Sequence, residues 1–205
     1  MNKNIARHLL EKEAVRLNVK EPFIFVSGIK SPIYCDNRKM IAFPKERGEI
    51  VNTFIDLLKD KEYDVIAGTA TAGIPWASFI ADRINKPMAY IRSKKKAHGA
   101  GKQIEGAEVK GKKVIVIEDL ISTGGSCITA VEACKGEGAS EVEVAAIFSY
   151  EFKKAFDNFK RINTNFETIT NFSTLLEVAK EDKFITEEEL NIAKTWNIDP
   201  ENWGK

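Results

Sequence analysis

Apolar and polar positions follow two rhythms along this chain, one helical and one extended. Ile5, Leu9, Leu10, Val15 and Leu17 recur at roughly helical spacing, which predicts an amphipathic helix over residues 3–17. The stretch FIFVSGIKSPIYCDNR (23–38) is rich in β-branched and aromatic residues and is broken at Ser27-Gly28 and Ser31-Pro32. That pattern predicts two short strands joined by a turn, a flap over a neighbouring surface. Pro44 suits the first position of a helix whose apolar face is Ile50, Val51, Phe54, Ile55, Leu57 and Leu58.

From Tyr63 the rhythm shortens. YDVIAG (63–68) predicts a strand, the turn TATAG follows, and a helix runs from about Ile74 to Ile84. PMAYIR (87–92) predicts another strand, then a polar stretch leads to Lys112. The continuous apolar run KVIVIED (113–119) fits a strand covered on both faces. Thr123-Gly124-Gly125-Ser126 opens a helix to about Lys135, closed by Gly136 and Gly138, and EVEVAAIFSY (141–150) is a further strand. The tail predicts a strand near 166–170 and helices near 173–180 and 186–196. Strand alternating with helix over short links implies an α/β fold with a parallel sheet, in one unit spanning 1–205.

Composition narrows the function more than the fold. Hydrophobic residues make up 43% and charged residues 30%, so a soluble globular core is expected. A net charge of +1 argues against nucleic acid as the main partner. Cys35, Cys127 and Cys134 form no CxxC pair and there are two histidines, which weighs against a zinc site. Sparse, odd cysteines fit a reducing compartment. The first residues mix charge with apolar side chains unlike a signal peptide, and no apolar run approaches the ~18 residues of a membrane span. A cytoplasmic protein without a membrane partner is the expectation.

Three segments carry candidate chemistry. VIVIEDLISTGGS (114–126) runs a buried strand through Glu118 and Asp119 into Ser122-Thr123-Gly124-Gly125-Ser126 at a helix start. Helix N-termini leave unpaired N–H groups and a positive dipole end, glycines let the backbone approach an anion, and hydroxyls add donors. Adjacent carboxylates point to opposite sides of a strand, so one can meet the 2- and 3-hydroxyls of a ribose while the other faces its surroundings or a metal-bound water. A plain capped strand–turn–helix junction would look alike. Neither the Walker GxxxxGK[ST] pattern nor GxGxxG is present. Next, Arg92, Lys94, Lys95, Lys96 and His98, followed by Gly99 and Gly101, form a cationic segment suited to a charged leaving group and to a lid; a solvated basic loop is the bland alternative. Finally, Thr69–Gly73 lies between a strand and a helix; a capped helix start is the plainer reading, and its backbone amides could alternatively hold a pyrophosphate oxygen or metal-bound waters.

VIVIEDLISTGGS resembles the phosphoribosyl-pyrophosphate motif of the type I phosphoribosyltransferase family. Residues 23–38, GTATAGIP (68–75) and IRSKKKAHGAGKQIEG (91–106) are similar to segments of the family's orotate-using branch. The resemblance implies a parallel-sheet type I fold, with a core of about 45–170 and a small hood from about 1–40 and the C-terminal helices. It also implies transfer of a phosphoribosyl group to orotate in pyrimidine biosynthesis. Lys96, His98 and Asp119 are the expected catalytic residues. Phosphoribosyl pyrophosphate is expected on Lys30, Thr71, Arg92, Lys96, His98, Glu118, Asp119, Leu120, Ile121, Ser122, Thr123, Gly124, Gly125 and Ser126, and orotate on Tyr34 and Ser122. No residue is expected to bind metal directly, Mg²⁺ being carried by the substrate. A homodimer is implied, with loop 93–106 reaching the neighbouring site. The chain departs from many relatives at Val26 and Ser93, where they carry Lys. It also has Tyr150-Glu151-Phe152-Lys153 where some place an Arg for the orotate carboxylate, leaving backbone amides, Lys30 or Lys153 for that task. A transferase for another base and a non-catalytic binder of the same ligand are the two rival readings.

Overall fold

The apolar run that opens the phosphate-loop segment lies at the heart of the sheet. In a computed structural model, which describes residues 1–24, 28–94 and 102–204, the chain begins with α1 (Lys3–Glu11), β1 (Val15–Leu17), β2 (Phe23–Ile24), β3 (Lys30–Ser31) and β4 (Ile33–Cys35). A 3-10 turn over Asn37–Ala42 leads to α2 (Pro44–Leu58), β5 (Val65–Thr69), α3 (Gly73–Arg83), β6 (Met88–Ile91) and β7 (Ile104–Gly106). Then follow β8 (Lys113–Ile121), α4 (Gly125–Gly136), β9 (Glu141–Ser149), α5 (Lys153–Arg161), β10 (Phe166–Asn171), α6 (Phe172–Glu181) and α7 (Glu187–Ile198).

Six strands form the main sheet in the order β10-β9-β8-β5-β6-β7, parallel throughout except for β7. Its continuous apolar strands hide an alternation. Val114, Val116, Val142 and Val144 turn to one face with Cys127, Val131 and Phe159 of α4 and α5. Ile115, Ile117, Ala145 and Ile147 turn to the other, with Phe54, Trp76 and Leu175 of α2, α3 and α6. Each buried Val, Ile, Leu or Phe among them stabilises the fold by roughly 1.5–3 kcal/mol relative to an exposed position. β5 continues through α3 to β6 on one side, while β8 continues through α4 to β9 on the other. The C-terminal ends of adjacent β5 and β8 therefore flank a crevice at a topological switch point, where open α/β sheets bind ligands.

The elements differ from the sequence expectation in several places; segment 23–38, expected as two strands, holds three, β2 pairing with β3 and β4 with β1. α1 stops at Glu11 because Glu13 adopts φ +53° and Val15–Leu17 pairs antiparallel with β4, so two of the apolar positions read as helical belong to a strand. β7 lies inside the stretch read as polar; it is three residues long with Ile104 its one buried position, too short to show alternation. α5 was not expected because only Ala155 and Phe159 of its nine residues are buried. No helix among the described residues is long and apolar enough to cross a membrane.

Close packing at the crevice makes one glycine obligatory. A Cβ on Gly73 would lie 2.2 Å from the Ile117 carbonyl oxygen and 2.5 Å from Thr69 Oγ1. Gly73→Ala is expected to cost about 1–3 kcal/mol in urea unfolding, because strand backbone cannot step aside as a flexible side chain would. An unchanged midpoint would show that α3 moves freely against β8.

Candidate functional site

At the end of β8 the two carboxylates part. Glu118 is 4% exposed and turns toward α4, where its Oε2 accepts hydrogen bonds from Ser126 Oγ at 2.8 Å and Cys127 Sγ at 3.7 Å. Its Oε1 accepts from the Asp119 N–H at 3.1 Å. Asp119 is half-buried. Burial, then the Glu118 charge and a hydrogen bond to that side chain, push its carboxyl up to about 7, against the pull of the Leu120 N–H and the Arg38 guanidinium. Of the pair, Asp119 is the one open to a ligand; Glu118 fixes Ser126.

Beyond them the chain bends sharply. Gly124 adopts φ +82°, and no side chain caps α4, so the first-turn N–H groups remain for an anion. Ser122 and Thr123 are half-buried, while Gly125 and Ser126 are exposed. Asn158 of α5 donates to the Thr123 carbonyl at 3.0 Å and steadies the loop. The side chain of Ile121 is fully buried, so it can meet a ligand only through its backbone, while that of Leu120 is half-buried against the core.

Across the crevice, Thr69 Oγ1 donates to the Ile117 carbonyl at 3.1 Å, which ties the end of β5 to β8. The Ala70–Thr71 peptide is cis, and Thr71 is exposed. Thr69, Ala70, Arg92, Ser93, Gly125, Ser126 and Thr129 line one cleft of about 150 Å³. That cleft unites the tight loop, the base of the cationic segment and the start of α4. A second hollow of about 410 Å³ adjoins Ser122 and Thr123 and is walled by Ile29, Phe152, Lys153 and Trp196. The largest hollow described, about 860 Å³ along β10, holds none of the predicted residues.

The remaining predictions fall in varied places. Lys96 and His98 lie outside the described residues. Lys30 is exposed and donates to the Gly204 carbonyl at 2.9 Å. Tyr34 is half-buried, with Phe23 at 5.7 Å and the Arg16 guanidinium 5.2 Å from its ring centre. Two neighbours were not anticipated. Buried Asn37 donates to the Asp119 carbonyl at 2.7 Å, and Arg38 bonds Asp36 at 2.6 Å while bearing on Asp119. Both sit in the segment 23–38, and only their proximity to β8, a long-range property, marks them. Cys127 and Cys134 are fully buried, and burial pushes the Cys134 thiol up to about 12. Both should resist a thiol reagent at pH 8 until the chain is unfolded; rapid labelling of either in the native state would contradict this packing.

Comparison with known proteins agrees with this geometry. The phosphoribosyl transferase domain profile matches residues 47–189. An orotate phosphoribosyltransferase of Streptococcus pneumoniae serotype 19F is 53% identical over 98% of this chain and 97% of its own. One from Listeria monocytogenes serotype 4b is 50% identical over 100% and 99%. Among solved structures, orotate phosphoribosyltransferase from Aeropyrum pernix superposes with a TM-score of 0.76 at 25% identity, covering 89% of this chain and 99% of that one.

Proposed function

The chain belongs to the phosphoribosyl transferase family, and from that membership we propose that it transfers the 5-phosphoribosyl group of phosphoribosyl pyrophosphate to orotate, yielding orotidine 5-phosphate and pyrophosphate for pyrimidine biosynthesis. The observation that carries this reading is the single cleft at the β5/β8 crevice. There the uncapped start of α4, the tight loop and Arg92 come together, with Asp119 at the end of the adjoining β8.

In the proposed mechanism the 5-phosphate rests on the amides and hydroxyls of Ser122–Ser126, and Asp119 accepts hydrogen bonds from the ribose hydroxyls. Orotate lies beside Tyr34 and Ser122. N1 of the deprotonated base attacks C1 of the ribose as the C1–oxygen bond breaks, with inversion; the bonding pair leaves on pyrophosphate. The transition state has oxocarbenium character, so catalysis is chiefly positioning and stabilisation of the departing charge. Arg92, Lys96 and His98 supply that stabilisation, with the backbone around Thr71. Lys30 adds a cation at the hood.

Among the described residues no three acidic, histidine or cysteine side chains gather around one point, and Glu118 is engaged with Ser126. This donor set suits Mg²⁺ that enters as part of the pyrophosphate substrate, with oxygen ligands drawn mainly from it. We place the enzyme in the cytoplasm as a homodimer whose loop 93–106 completes the neighbouring site, with 1–205 acting as one unit.

Pyrophosphate release measured with orotate, uracil, adenine and hypoxanthine tests the assignment. Release with orotate alone is expected. Release only with a purine would replace this reading, and none with any base would point to a non-catalytic binder.

A further inference from the structure

The ring of Tyr150 is held on every side. Phe148, Trp196 and Phe172 meet it edge-on at 5.7, 5.6 and 6.5 Å, and Phe152 stacks on it at 5.3 Å. Both of its main-chain groups are fixed as well. Its N–H donates to the Ile121 carbonyl at 3.0 Å, and its carbonyl accepts from Asn197 Nδ2 at 2.6 Å. Tyr150 is thus anchored beside the residue that precedes Ser122, with only 4% of its surface exposed.

So well packed a tyrosine normally satisfies its hydroxyl within the protein. The hydroxyl of Tyr150 has no hydrogen-bond partner among the described residues. The indole nitrogens of Trp76 and Trp196 are buried outright, whereas the Tyr150 oxygen keeps contact with solvent. The groups acting on it are Cys35, Tyr34 and Asp119, those of the acceptor side of the crevice. Burial pushes the phenol well above its ordinary range, so it stays a neutral donor at any working pH. The two lysines that could meet an anion there are engaged elsewhere, Lys30 with the Gly204 carbonyl and Lys153 with Asp157.

We propose that the Tyr150 hydroxyl donates a hydrogen bond to the carboxylate of the acceptor base, an inference that rests on the orotate reading above. The aromatic cage fixes the donor before the substrate arrives, so little freedom is lost on binding. A donor facing an ionised acceptor in a half-buried site carries roughly a tenfold or larger effect on affinity.

The test is Tyr150→Phe, which keeps the ring and removes only the unpartnered hydroxyl. KM for orotate is expected to rise about tenfold, with kcat, KM for phosphoribosyl pyrophosphate and Tm unchanged. As competing nucleotide inhibitors, orotidine 5-phosphate should weaken about tenfold while uridine 5-phosphate, which lacks the carboxylate, stays within about twofold. An unchanged KM for orotate would overturn the proposal. So would equal weakening of both nucleotides, or a lower Tm with both KM values raised, which would mark Tyr150 as a packing residue. Wild-type enzyme serves as the control: if it failed to turn over orotate, the function assignment would fall rather than the role of Tyr150.

Discussion

Replacing Lys96 with alanine is expected to lower kcat by about 10²- to 10³-fold, the usual cost of deleting one stabiliser of developing charge, while Tm stays constant. The leaving pyrophosphate gains charge as the C1–oxygen bond breaks, and only cations placed for that moment lower the barrier. Arg92, half-buried at the end of β6, is fixed in the cleft wall. Lys96 and His98 follow it in the same segment, so the loss should fall on kcat more than on KM. A kcat within threefold of wild type would show that the cationic segment is a solvated loop. The same variant tests the dimer. In an equal mixture of Lys96→Ala and Asp119→Asn subunits, a loop that serves its neighbour leaves one intact site in each hybrid, restoring about one quarter of wild-type activity on random pairing. A loop that serves its own subunit restores none.

Asp119→Asn should pull activity and stability in opposite directions. The folded carboxyl titrates at about 7, whereas in the unfolded chain it would titrate near ~3.9. As pH rises between these values, the unfolded chain releases its proton while the folded chain retains it. Stability is therefore lost from about pH 4 to pH 7, and the loss is complete above that window. With allowance for solvent and for Arg38, the asparagine variant should be more stable by roughly 1–3 kcal/mol at pH 8 and nearly unchanged at pH 4, measured by urea unfolding. Its kcat/KM for phosphoribosyl pyrophosphate should fall by about ten- to a hundredfold, because in the proposed mechanism the ionised carboxylate accepts the ribose hydroxyls. In the wild type the same parameter should climb through about pH 7. A stabilised variant with intact kcat/KM would remove Asp119 from the site.

Much of this site is legible in the sequence. The run 113–119 is apolar and ends in two carboxylates, a glycine bend follows, and each property is local, so β8, the loop after it and α4 could be read directly. The unequal fates of Glu118 and Asp119 could not. They arise because Ser126 and Cys127 of α4 close on one side and Asn37 and Arg38 approach the other, contacts between segments far apart in sequence. Tyr150 was read as part of a strand, since nothing local distinguishes a caged phenol from a core aromatic. The short elements β1 and β7 escaped because three residues carry too little pattern.

The pairing of β6 with β7 has a consequence for how this enzyme can vary. Ile91 faces Ile104, the Arg92 N–H donates to the Gln103 carbonyl at 3.0 Å, and Gln103 Nε2 returns a bond to the Arg92 carbonyl at 2.9 Å. Both ends of the segment that carries Lys96 and His98 are therefore clamped in the sheet like the two posts of a gate. With the ends so fixed, a change in the length of the intervening chain carries a closure cost of about 0.6 kcal/mol for each doubling. The cation content of this segment and the stability of the fold are thus separate variables, and a transplanted segment with a new cation pattern should alter turnover while leaving the scaffold as it is.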